Sequence, residues 1–107
     1  MIFSVRNTLW KVQFLHPLDD KLLRSDGSRS CATTDNNLKT IFLASNLNGW
    51  FLNKVLRHEI VHVFCFEYGI HLSLEFEEFL ADFIATYGEN ILDTANMIFS
   101  QITRSIA

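Results

Sequence analysis

Trp50-Phe51-Leu52-Asn53-Lys54-Val55-Leu56-Arg57-His58-Glu59-Ile60-Val61-His62-Val63-Phe64-Cys65-Phe66-Glu67-Tyr68-Gly69 is the stretch on which the reading of this chain turns. Trp50, Phe51, Val55, Leu56, Ile60, Val61 and Phe64 return at helical spacing, which gives the segment an apolar face wide enough to bury. The spacing predicts a helix over 50–68. Asn46 or Asn48 stands where an N-cap belongs, and Gly69 supplies the left-handed residue on which helices commonly end.

Upstream of this helix the periodicity shortens. Leu9, Trp10, Val12, Phe14 and Leu15 make residues 8–15 a mostly alternating strand that stops at His16-Pro17, where proline cannot continue a ladder. Residues 18–24 place Leu18, Leu22 and Leu23 for one or two helical turns before Ser25-Asp26-Gly27-Ser28. Segments 30–34 and 38–44 flank Asp35-Asn36-Asn37 and read as a hairpin. Downstream, 70–75 is a connection, and 76–87 and 90–106 read as two further helices broken at Gly88. The expectation is an α+β domain spanning 1–107, a small N-terminal sheet of about three strands packed on about three helices.

Composition narrows the function classes. At 107 residues, 49% hydrophobic and 20% charged, the chain suits one globular domain. Nine Lys and Arg against twelve Asp and Glu give a net charge of -3, which lacks the basic footprint of a direct nucleic-acid binder. Apolar runs such as 41–44 and 63–66 fall far short of the roughly 18 residues of a membrane span. Arg6 and Asn7 interrupt what would be the apolar core of a signal peptide, and Cys31 and Cys65 make no disulfide framework. A cytoplasmic location is expected.

Within the long helix, His58-Glu59-Ile60-Val61-His62 spells H-E-x-x-H. Histidines four apart leave a helix on one face, so both imidazoles reach one Zn²⁺ at roughly 2.0–2.1 Å, with the glutamate beside the ion's open position. Glu77-Glu78-Phe79-Leu80-Ala81-Asp82 follows on a predicted helix and offers an anionic third ligand. Glu78 and Asp82 share a face with Ala81 and Ala85, whose small side chains permit close approach to the histidine helix. Glu77 points about 100° away from Glu78, so Glu78 is chosen as ligand. Asp82, one turn on, is placed to accept the free N–H of His58 and fix its tautomer. His71 competes for the third position but lies in the connector without an orienting neighbour.

These residues resemble the gluzincin metallopeptidases, whose H-E-x-x-H helix is followed by a helix bearing E-x-x-x-D, here Glu78-Phe79-Leu80-Ala81-Asp82. The nearest likeness is to small phage- and prophage-encoded ImmA/IrrE-type zinc peptidase domains, whose helix reads like Val55-Leu56-Arg57-His58-Glu59-Ile60-Val61-His62. Tyr87-Gly88 resembles their continuation, and the likeness extends over roughly 38–98. The resemblance implies a zincin-like minimal fold, a zinc ion and hydrolysis of peptide bonds in a bacterial cytoplasm.

If the domain is an enzyme, Glu59 serves as general base and then as acid toward the leaving amine. Tyr68, His71 and Tyr87 are the candidates for stabilising an oxyanion, and 38–44 is the candidate edge strand for an extended peptide. A peptide or protein is the expected substrate, with no direct nucleic-acid or membrane partner. Ile91, Ala95, Ile98 and Ile102, with Leu92, Phe99 and Ile106, form a stripe suited to a homodimer contact. Glu75, Glu77 and Glu89 read as a solvated acidic face. The alternative reading is a catalytically silent zinc-containing phage protein that engages a host protein through that apolar helix.

Overall fold

A sheet of four strands and two long helices make up the computed structural model, which describes residues 1–106 with side chains through Ser105. Strands β1 (Ile2–Val5) and β2 (Thr8–Leu15) form an antiparallel hairpin in which Val5 faces Thr8. Its two central residues, Arg6 and Asn7, have φ of 50° and 66°, the conformation that matches the twist of paired strands. β1 was not part of the sequence expectation, because Arg-Asn lacks the glycine by which such turns are usually recognised.

After a single 3-10 turn over Asp20–Leu22, the chain forms β3 (Ala32–Asp35) and β4 (Thr40–Ala44). Asp35 Oδ1 accepts from Leu38 N at 2.9 Å and closes the connecting turn. β4 lies parallel to β2 and antiparallel to β3, giving the order β1-β2-β4-β3. The expected peptide-accepting edge at 38–44 is therefore corrected: β4 is central and β3 is the edge. All five residues of β4 are buried, as a strand covered on both faces requires. Ile41 and Leu43 join Trp10, Val55 and Val63 beneath the first long helix, while Phe42 and Ala44 pack on Leu22 across the sheet.

That helix, α1 (Gly49–Glu67), keeps the expected span within a residue at each end. Asn48 occupies the N-cap position without a side-chain capping bond. Past its end, Gly69 has φ of 62°, and Ile70 N donates to Cys65 O at 2.9 Å. α2 (Leu74–Ile106) begins two residues earlier than expected, because Ser73 Oγ accepts from Phe76 N.

The two helices expected on either side of Gly88 are one continuous helix. A lone glycine costs a helix interior only about 1 kcal/mol, and no proline follows to stop it. α2 runs antiparallel to α1. Ala81 is fully buried against Val61 and Cys65, and Ala85 is likewise buried, so the small residues allow the close approach anticipated for them.

Candidate metal centre

One turn of α1 and one turn of α2 face each other where the helices are closest. His58 and His62 project from α1, and their Nε2 atoms stand 3.3 Å apart. Glu78 on α2 straddles them: Oε2 lies 3.1 Å from His58 Nε2, and Oε1 lies 3.0 Å from His62 Nε2. Bonds of roughly 2.0–2.1 Å to a tetrahedral ion place neighbouring ligand atoms about 3.3 Å apart, so this spacing fits one such ion. Among the described residues, these three form the one group of His, Cys, Asp and Glu whose ligand atoms lie close enough together to hold a metal. His71, the competing third ligand, is exposed in the connector and outside the group.

The chemistry of the donors points the same way. His58 Nδ1 lies 2.8 Å from Asp82 Oδ1, and His62 Nδ1 lies 2.6 Å from Glu77 Oε2. An ionised carboxylate only accepts, so each ring donates its Nδ1 proton outward, and a neutral ring then turns its Nε2 lone pair inward. With both rings in that tautomer, two nitrogen lone pairs and the Glu78 carboxylate face one another, a donor set that a cation would satisfy.

Asp82 thus holds His58, as expected from its place one turn after Glu78. Glu77 corrects the expectation of a solvated acidic face: it is half-buried and orients His62. Glu89 stays exposed, as expected, and pairs with Arg57 at 2.7 Å. The sequence did carry a signal for Glu77, since two ligating histidines each need a partner and Asp82 can serve only one.

Glu59 sits beneath the cluster, only 7% exposed. Its Oε1 accepts from the Thr34 hydroxyl at 2.8 Å, and its Oε2 lies 3.9 Å from His58 Nε2. Burial pushes its carboxyl above the usual range, against the pull of the Thr34 hydroxyl and of His62 and His58. Thr34 lies on β3, so the edge strand positions the Glu59 carboxyl; nothing in the sequence singled Thr34 out.

Above the cluster a cleft opens in two arms of about 400 and 330 Å³, which share Arg24, Ser30, Ala32, His58, Glu59 and Glu78. Tyr68, His71 and Tyr87 line neither arm, which removes all three oxyanion candidates. Tyr68 instead stacks on Phe64 at 5.7 Å beneath the Arg6 guanidinium, and Tyr87 leans on Phe83. Arg24, bordering both arms, is a functional candidate that no sequence spacing marks.

No family model, curated protein or solved structure matches the chain. No helix among the described residues is long and apolar enough to cross a membrane. The case for function therefore rests on the site.

Proposed function

We infer that the chain is a zinc-dependent metallopeptidase of gluzincin type, acting on a peptide or protein in a bacterial cytoplasm, in a phage or prophage setting. The observation that carries this reading is the convergence of His58 Nε2, His62 Nε2 and the Glu78 carboxylate beside a buried, hydrogen-bonded Glu59. Three protein ligands, rather than four, are the pattern of a catalytic site.

His58, His62 and Glu78 would hold the ion, and a bound Zn²⁺ supplies Lewis acidity, bringing the pKa of water to roughly 7 and polarising a carbonyl. Glu59 accepts the proton of the attacking water at Oε2 and later delivers it to the leaving amine. Thr34 keeps Oε1 occupied, so the proton traffic passes through the other oxygen. Asp82 and Glu77 keep both imidazoles in the tautomer that leaves Nε2 unprotonated. The open edge of β3 beside the cleft offers main-chain donors and acceptors to an extended segment.

The test is metal analysis of protein purified without chelator, followed by Glu59→Gln. One zinc per chain, cleavage by wild type and loss of cleavage with retained zinc in Glu59→Gln support the reading. Absence of bound metal, with His58→Ala indistinguishable from wild type, rejects it. A second reading, a silent zinc-containing module that binds a host protein, is favoured by one observation: from Glu89 to Ile102 every α2 side chain is exposed, Ile91, Ile98 and Phe99 included. Stoichiometric zinc without cleavage of any peptide by wild type selects that module.

A further inference from the structure

The two arms of the cleft differ in charge. Lys54 lies four residues before His58 on α1, one turn along the same helical face, on the wall of the larger arm. Arg24 borders the same space from the turn between Leu23 and Arg29 that precedes β3. That turn is well tied. Arg24 N donates to Ser28 O at 2.8 Å, Gly27 N donates to Arg24 O at 3.0 Å, and Asp26 Oδ1 accepts from the Ser28 hydroxyl at 2.6 Å.

Among the described residues, neither Arg24 nor Lys54 has a carboxylate oxygen within 4.0 Å, although Arg24 helps to hold the nearby Asp26 carboxyl below its usual range, after the Ser28 hydroxyl and backbone; Lys39 and Arg57, in contrast, pair with Glu67 and Glu89. The acids that share the larger arm are engaged: Glu59 with Thr34, Glu78 with both histidines, Asp82 with His58. Arg24 and Lys54 both line this recess, and a guanidinium and an ammonium there would suit a carboxylate, the guanidinium matching its two oxygens and the ammonium adding a mobile point charge.

We propose that Arg24 and Lys54 together receive a carboxylate of the substrate, so that the larger arm selects peptides with negative charge beside the bond to be cut. The inference rests on the peptidase reading above and names its substrate class. The carboxylate has two sources, an acidic side chain within a peptide or a peptide's free C-terminus.

The test uses zinc-loaded protein and succinic monohydroxamate, which carries a metal-binding group and a carboxylate, compared by calorimetry with its carboxamide twin. Wild type is expected to bind the acid about tenfold more tightly than the amide, the effect of one charge-assisted contact at a partly exposed site. Arg24→Gln/Lys54→Gln is expected to bind the two equally while holding the same zinc content. Equal affinities in wild type overturn the proposal whether or not the double variant folds.

End-capped peptides with Glu or Gln around the cut, and neutral peptides with free or amidated C-termini, then separate the two sources. A preference for Glu in the capped series assigns the side chain, and a preference for the free terminus assigns the terminal carboxylate. Cleavage with no charge preference in either series overturns the carboxylate site and leaves the peptidase reading standing. Hydroxamate selectivity without cleavage of any peptide does the reverse.

Discussion

Each histidine of the cluster is held from behind by its own acid, His58 by Asp82 and His62 by Glu77. Such partners set both the tautomer and the aim of a ligating ring, and losing one typically lowers metal affinity 10- to 100-fold. Asp82→Asn and Glu77→Gln are therefore each expected to weaken zinc binding by about that factor, read by competition with a chromophoric chelator. Unchanged affinity in Glu77→Gln would make the bond to His62 incidental. Of these two acids the sequence reading picked out Asp82, because it shares a helical face with Glu78, and passed over the signal for Glu77, the second histidine's need for a partner. An angular argument on one helix discards Glu77, yet two rings with their backs on different sides of a site need acids at two angles. Thr34 and Arg24 were illegible for a different reason. They reach the cleft from a strand and a turn whose placement depends on the whole sheet.

The C-terminal end of α1 is fastened to the sheet through Glu67, whose carboxylate accepts from Lys39 Nζ at 2.8 Å and Trp10 Nε1 at 3.0 Å. These bonds hold its carboxyl below the usual range, with Lys39 foremost and Trp10 next, in excess over the opposing effect of burial. A folded-state value below the unfolded one contributes stability that is fully present above the unfolded value and disappears as pH falls through the folded one. The stability gap between wild type and Glu67→Gln, measured by urea unfolding, is thus expected to be constant near neutrality. It closes below pH of about 4.3, where the unfolded carboxyl begins to take up its proton. A gap that persists at low pH would assign the effect to packing instead.

α2 offers a second measurement, on the continuity of the helix. A Cβ at Gly88 would sit 3.2 Å from Ile84 Cγ2, and Ile84 is exposed enough to turn aside. Gly88→Ala is accordingly expected to stabilise the protein by about 0.5–1 kcal/mol, the helical preference of alanine over glycine. Destabilisation would show that Ile84 cannot turn aside from the added methyl group. Periodicity made both helices legible here, whereas a glycine within a periodic run cannot distinguish an interruption from a tolerated residue.

The long axis of the molecule, 57 Å against 29 Å for the others, reflects the second half of α2 standing clear of the sheet. The Arg57–Glu89 ion pair ties the start of that half to α1. Removing residues 96–107 takes away no buried described side chain, so the unfolding free energy is expected to change by less than about 0.5 kcal/mol. A larger loss together with a concentration-dependent midpoint would instead report a second copy lying on Ile91, Ile98 and Ile102, the homodimer contact that the apolar stripe suggests. The sheet carries a different consequence for the whole. β3 has a neighbour on one side only, and its Thr34 is the hydroxyl that binds Glu59. Peripheral strands open before the middle of a structure does. On warming, β3 would peel away and leave the Glu59 carboxylate unsupported while the helical hairpin keeps His58, His62 and Glu78 together. In the zinc peptidase proposed above, turnover would then fail several degrees before either zinc or helicity is lost, making the working temperature a property of the outermost strand.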